Sequence, residues 1–238
     1  DGEFLIDIMN EVGYDLAILG NHEFDYGMEQ TGDLIEMAKA QYLGCNISYT
    51  GDGENELANV KPYEIIEYGD TSVAFIGVST PYSVTSSTPT YFMNENGEYV
   101  YEFAAGDGGS VLFECVQNNV DECREAGADY VVLLTHLGDG EESSPYSSVD
   151  VIRSTTGIDV VLDGHAHSEI SCRVEKNKED KEVVVSFVSK NKSLVINKLD
   201  SSNDNPLANS DNYEVYMAEV EKQSDVVEFA ESLEGVRK

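Results

Sequence analysis

The sequence predicts an α/β protein in which two sheets pack together and helices cover them. Three segments repeat one order, a helical pattern, a glycine stop and an apolar strand, and they begin near residues 3, 110 and 148. Two further segments, 60–81 and 181–200, are rich in β-formers around a polar turn, which favours hairpins of a second sheet. The 238 residues hold enough apolar material for one large core, so we expect a single domain over residues 1–238.

Each of the three helix–strand units ends at a histidine. The first unit is EFLIDIMNEVG followed by the strand DLAILG, in which Gly13 is a natural helix stop. The second is SVLFECVQNNVDECREAGADYVVLLTHLG, and the third is SVDVIRSTTGIDVVLDGHAH. Counted from the glycine of each Gly-x-Asp step, the histidine lies at +9, +9 and +8, which gives the pairs Gly13 and His22, Gly127 and His136, and Gly157 and His165.

The register therefore places histidines at the carboxyl ends of strands. In open α/β sheets this edge gathers ligands and catalytic groups, because its loops vary over a rigid scaffold. The chain has four histidines and all of them lie in these three loops, where Asn21 adds an amide oxygen: His22, His136, His165 and His167. One such histidine could be structural, but four at equivalent strand ends indicate a site for Zn, Mn or Fe.

Charge and hydropathy exclude other classes of function. The formal net charge is −32, so the surface repels nucleic-acid phosphates and anionic lipid headgroups, and we expect no nucleic-acid partner. No apolar run approaches the roughly 20 residues that a membrane-spanning helix needs. Residues 1–20 also lack the basic start and apolar core of a signal peptide.

The motifs GNHEFDYG, THLG and GHAH, in this order and each after an apolar strand, resemble those of the calcineurin-like metallophosphoesterases. The longer stretch GYDLAILGNHEFDYG is similar to the bacterial branch of 5′-nucleotidases, 2′,3′-cyclic-nucleotide phosphodiesterases and UDP-sugar hydrolases. The resemblance runs from about residue 2 to about residue 200. It implies an α/β/β/α fold and metal-dependent hydrolysis of a small phosphoester, most plausibly a nucleotide, with two divalent ions such as Zn or Mn.

The resemblance also implies a metal-binding role for four matched positions. Asn21, His136 and His165 match the ligands of one metal, and His167 matches a ligand of the second. Because His167 alone remains for the second ion, we expect this chain to hold at most one weakly bound ion.

The remaining positions of GNHEFDYG match the acid of the reaction. His22 matches the histidine that contacts the scissile phosphate and protonates the leaving alkoxide, and Asp25 matches the acid that orients it. Glu23 has no role in that scheme. We interpret it as a carboxylate at the N-terminus of a helix or as a hydrogen-bond acceptor for a residue that binds the metal.

Two metal motifs of the family do not precede GNHEFDYG in this chain. They are an Asp-x-His after the first strand and a Gly-Asp after the second, whose Asp bridges both metals. We therefore expect the first two strands to lie upstream of Asp1, a C-terminal nucleotide-specificity domain to be absent from this chain, and the 238 residues alone to be inactive. The alternative is a metal-deficient binding module that retains the fold.

The resemblance implies a secreted, periplasmic or cell-surface protein, and missing strands would leave a sheet edge through which it could dimerise. Four cysteines show no metal-binding spacing, and we interpret them as buried or spare thiols, with disulfides left open: Cys45, Cys115, Cys123 and Cys172. The Tyr- and Thr-rich segment 80–103 either covers the site or is an ordinary surface loop. Segment 201–212 reads as a polar loop, and a final helix follows near Val226.

Overall fold

The computed structural model describes residues 2–168, 173–187, 192–196 and 215–219. Within these ranges the chain forms five α-helices, α1 Glu3–Val12, α2 Met28–Met37, α3 Ser83–Ser86, α4 Ser110–Glu125 and α5 Ser148–Ser154. The strands are β1 Leu16–Ile18, β2 Gln41–Leu43, β3 Ile47–Tyr49, β4 Tyr63–Tyr68, β5 Thr71–Ser79, β6 Tyr101–Phe103, β7 Tyr130–His136, β8 Val160–Asp163, β9 Arg173–Lys176, β10 Glu182–Phe187, β11 Lys192–Ile196 and β12 Val215–Glu219.

A six-stranded sheet in the order β4-β5-β7-β8-β10-β9 forms the centre of the molecule. β5, β7, β8 and β10 are parallel, whereas β4 and β9 pair antiparallel at its two ends. The predicted hairpin at 60–81 is present as β4 and β5, but its assignment to a second sheet was wrong. β5 is largely buried along its length, as expected of an interior strand of a mainly parallel sheet.

The predicted hairpin at 181–200 is also wrong in its pairing. β10 lies between β8 and β9, and β11 pairs with β12 instead. The apolar run that starts at Val183 fits this place: residues on both faces of β10 are buried, which is typical of a strand inside a mainly parallel sheet that is covered on both faces. Residue 191, part of the predicted turn, lies outside the described residues.

The three helix–strand units form as predicted, and their glycine stops share one backbone conformation. Gly13, Gly127 and Gly157 have φ angles of 82°, 95° and 79°, the left-handed region that closes a helix or turn at low cost for glycine. The first unit differs in its sheet, because β1 pairs in parallel with β2 in a separate two-stranded sheet. The histidine loops therefore come from two sheets that meet at one edge.

Two apolar clusters hold this arrangement. One packs α4 and α5 against the six-stranded sheet, and the other lies beneath the GNHEFDYG loop. In the second cluster Phe24 is fully buried, with ring centroids 5.1 Å from Phe92 and 6.0 Å from Phe103. Phe92 and Phe103 anchor segment 80–103 to this cluster, although much of the segment, including Tyr91 and Tyr99, is exposed.

Several sequence predictions fall outside the described residues: the polar loop 201–212, the final helix and Cys172. The extent of one domain over residues 1–238 stays a prediction for the same reason. The α/β two-sheet class itself is confirmed. No helix in the described part of the chain is both long and apolar enough to cross a membrane.

Candidate active site

The loop after β1 is a short 3₁₀ turn, Asn21–Phe24, fixed by side chains of its own sequence. The Glu23 carboxylate accepts the Gly20 N–H at 2.6 Å, so Glu23 caps the turn as predicted, although the residue as a whole is exposed. The Thr31 hydroxyl of α2 lies 2.7 Å from the Glu23 carbonyl oxygen and 2.9 Å from that of Gly27. These bonds hold the turn between β1 and α2 and set where its polar side chains lie.

His22 and Asp25 form the predicted pair at the surface of this turn. The Asp25 carboxylate accepts from His22 Nδ1 at 2.8 Å, and the His22 side chain is 77% exposed. Ser87, at the end of α3, donates a longer hydrogen bond of 3.4 Å to the other carboxylate oxygen of Asp25. Nδ1 is therefore engaged and Nε2 of His22 is the nitrogen that can face a ligand.

Asn21, His136 and His165 come together beside this pair. Asn21 is buried, and its Oδ1 lies 3.0 Å from His136 Nε2. The imidazole rings of His136 and His165 have centroids 4.9 Å apart. The predicted ligand set of one metal is thus a contiguous group, assembled from the turn after β1, the end of β7 and the loop after β8.

The imidazoles of His136 and His165 both have lowered pKa values, chiefly because they are buried. Burial, followed by the neighbouring imidazoles of His165, His22 and His167, lowers the pKa of His136 to about 4. Burial also lowers the pKa of His165, with contributions from His167 and His22, while Glu142 acts in the opposite direction. Neutral imidazoles carry the free lone pair that a metal ligand needs.

The GHAH loop has a strained backbone at both of its histidines. His165 and His167 have φ angles of 80° and 54°, a region that residues other than glycine rarely adopt. Such strain persists only where the surroundings fix it, and it concentrates at functional sites. His167 is exposed and lies within electrostatic reach of His136 and His165, at the rim of the group.

Sequence reasoning missed the polar residues that join the two sheets at the site. Ser79 is the β5 partner of His136 in the parallel register, and its buried hydroxyl donates to the Leu19 carbonyl oxygen at 2.6 Å. The buried Asn46 side chain donates to the Ser79 carbonyl oxygen at 2.8 Å and accepts the Ser79 N–H at 2.9 Å. Ser79 therefore ties the turn after β1 to the strand beside His136.

The donor set fits one divalent ion. One amide oxygen and two uncharged imidazoles are typical donors for Zn or Mn, and two of these donor atoms already lie within 3.0 Å of each other. In the described part of the chain, no group of three or more His, Cys, Asp or Glu side chains is placed to hold a metal. Asn21 is therefore the residue that adds a third donor to the two imidazoles, and the exposed His167 is the residue matched to a second ion.

Comparisons with known proteins show which families this chain resembles. A family model described as bacterial capsule synthesis protein PGA_cap matches residues 3–191. A snake venom 5′-nucleotidase of Crotalus adamanteus is 28% identical over 169 residues, which are 70% of this chain and 25% of that protein. A 2′,3′-cyclic-nucleotide 2′-phosphodiesterase/3′-nucleotidase of Haemophilus influenzae is 29% identical over 185 residues, 73% of this chain and 25% of that protein.

The fold is shared with a calcineurin-like phosphoesterase YfkN from Bacillus subtilis. The TM-score is 0.64 at 21% identity, covering 99% of this chain and 75% of that one. The predicted resemblance to calcineurin-like phosphoesterases of the nucleotidase branch is confirmed. This chain spans about a quarter of the length of the two curated relatives. Since the family model covers most of the chain, the protein belongs to the family described as bacterial capsule synthesis protein PGA_cap.

Proposed function

We propose that this site hydrolyses small phosphoesters of the nucleotide class in a metal-dependent reaction. The observation that carries the proposal is the His22 and Asp25 pair beside the group of Asn21, His136 and His165. The names of the relatives, a 5′-nucleotidase and a cyclic-nucleotide phosphodiesterase, support the substrate class.

Asn21, His136 and His165 would hold one ion, and His167 would contribute to a second. Divalent ions held there would supply Lewis-acid chemistry, polarisation of phosphoryl oxygens and a lowered pKa of bound water. The low pKa of His136 favours this role, because the imidazole does not have to lose a proton before it binds a cation at neutral pH.

His22 would contact the scissile phosphate and protonate the leaving alkoxide. Asp25 accepts from His22 Nδ1 at 2.8 Å, which fixes the tautomer and orients the ring. Proton donation uses the doubly protonated ring, in which Nδ1–H binds Asp25 and Nε2–H faces the leaving oxygen. A proton delivered in this way contributes about 10²–10⁴-fold to a rate when the leaving group is a poor one.

A His22→Asn variant of the full-length protein tests the acid role. We expect hydrolysis of AMP to slow much more than hydrolysis of p-nitrophenyl phosphate, since p-nitrophenolate leaves without a proton. Asp25→Asn should show the same order with a smaller loss, and Tyr26→Phe, four residues after His22 and exposed, should change neither rate. Equal slowing of both substrates by His22→Asn would mean that His22 binds phosphate only.

A second candidate function is a binding module that keeps the fold without catalysis. It is favoured by one observation: in the described ranges no carboxylate joins the imidazoles as a bridging ligand. We accordingly expect the 238-residue chain alone to hydrolyse AMP and p-nitrophenyl phosphate negligibly with Mn or Zn present. A longer chain that supplies an Asp-x-His and a Gly-Asp upstream should be active, and inactivity of that chain would favour the binding module.

We also propose a location outside the cytoplasm. The snake venom relative supports it, because a venom enzyme is an exported protein. Fractionation of cells that produce the full-length protein tests the proposal, and recovery of the protein solely with cytoplasmic markers would contradict it.

A further inference from the structure

Asp163 lies where β8 ends, two residues before His165, and its side chain is removed from solvent. The residue is 1% exposed. A buried carboxylate is costly unless donors surround it, so its partners indicate what it does. Asp163 and Gly164 also form, with His165, the one Asp-x-His of the chain, in a different place from the upstream motif of the family.

Four donors converge on a single oxygen of this carboxylate. Oδ1 of Asp163 accepts the Thr135 hydroxyl at 2.7 Å and the backbone N–H groups of Leu137, Gly138 and Gly164 at 3.0, 3.3 and 2.9 Å. Thr135 and Leu137 are the two chain neighbours of His136, and Gly164 is the residue before His165. Oδ1 of Asp163 therefore fixes the chain on both sides of His136 and the backbone just before His165.

We propose that Asp163 is a positioning residue that presets His136 and His165 for a shared divalent ion. The inference rests on the proposed metal site. Hydrogen bonds that orient metal ligands commonly change metal affinity by 10–100-fold when they are removed. These bonds run from Thr135 and from the backbone to Oδ1, so they require an acceptor oxygen at that position and not a charge.

Three variants of Asp163 separate the effect of its oxygen position from the effect of its charge. Asp163→Ala removes the acceptor, Asp163→Asn keeps an oxygen at the same reach without the charge, and Asp163→Glu keeps the charge but moves the oxygen by one carbon. Isothermal titration of the folded proteins with Zn²⁺ should give a Kd raised about 10–100-fold for Asp163→Ala and for Asp163→Glu. Asp163→Asn should stay within a few-fold of the unaltered protein.

Asp159, at the other end of β8, provides the matched control. Its carboxylate also joins β7 to β8, since it accepts the Val131 N–H at 2.7 Å and is paired with Arg124. Asp159→Ala should lower the midpoint of urea unfolding but leave the Zn²⁺ affinity of the folded protein unchanged. A purely structural Asp163 would behave in the same way as Asp159.

A second readout works without metal and covers the case in which Asp163→Ala fails to fold. In metal-free protein, ¹H–¹⁵N spectra of the imidazole rings should show shifted or broadened signals of His136 and His165 in Asp163→Glu, with His22 unaffected. Unchanged signals, or affinity restored by Glu rather than by Asn, would overturn the inference. If the unaltered protein binds no Zn²⁺ while the ring signals still shift, the metal site fails and the positioning role stands.

Discussion

Gly20 lies so close to His136 that a side chain there would clash with the ring, and its replacement gives the sharpest test of the site's packing. A Cβ built on Gly20 would lie 2.8 Å from Glu23 Oε2 and 2.9 Å from both Cε1 and Nε2 of His136. Carbon contacts settle near 3.5–4.0 Å, so the His136 ring must retreat by roughly 0.6 Å. The φ of −89° and ψ of −177° at Gly20 suit alanine, so the cost of Gly20→Ala is steric alone.

The expected destabilisation follows from two opposing contributions. Overpacking of this kind costs about 1–3 kcal/mol, and alanine stabilises by roughly 0.4–1 kcal/mol through the unfolded chain. We therefore expect Gly20→Ala to lower the free energy of unfolding by about 1–2 kcal/mol, measured by urea denaturation of metal-free protein. The displaced ring should also weaken Zn²⁺ binding.

Gly164→Ala is the matched control, because it faces the same ring. A Cβ there would lie 3.5 Å from His136 Nδ1 and 4.0 Å from the Thr135 carbonyl oxygen, both ordinary contacts. This variant should be neutral, or more stable by roughly 0.4–1 kcal/mol. Equal stability and equal Zn²⁺ affinity of Gly20→Ala and the unaltered protein would refute the packing argument.

Three further outcomes follow from the packing, the thiols and the sheet edges. Phe24→Ala should cost about 3–5 kcal/mol in urea unfolding, because its ring is fully buried, whereas Tyr26→Ala, 68% exposed, should change stability by less than about 0.5 kcal/mol. In a Cys172→Ser background at pH 8, iodoacetamide should modify Cys115 well before Cys123. A hydrogen bond with the Cys45 thiol lowers the pKa of Cys115, whereas burial raises the pKa of Cys123 to about 11. Equal rates of modification would contradict this. Light scattering should show a dimer or larger species, since β1 has one strand partner in the described part of the chain, and a monomer at high concentration would count against pairing through that edge.

The elements that the sequence predicted best are those with a local signature. The helix of each unit has an apolar face and is followed within three residues by a glycine such as Gly127, whose positive φ few other residues tolerate, so helix, stop and strand follow from neighbouring residues. The histidines could be placed because the same register recurs three times. These predictions needed only the local sequence pattern and no knowledge of contacts between distant segments.

The errors concern pairings between distant segments. The local sequence of the segment starting at Val183 does not indicate that it pairs between β8 and β9. Which strands it pairs with depends on the tertiary context. Ser79 and Asp163 were missed for a related reason. A single buried Ser or Asp has no periodicity, and its role arises only when strands far apart in sequence bring its partners to it.

The central claim is that Asn21, His136 and His165 bind one divalent ion beside His22. Anomalous diffraction from crystals of the protein soaked in Zn²⁺ tests it directly. We predict a peak at about 2.0–2.2 Å from Asn21 Oδ1 and from one nitrogen of each of the two imidazoles. A Zn²⁺ ion bound only elsewhere, with no peak between Asn21 Oδ1 and the two imidazoles, would contradict the account.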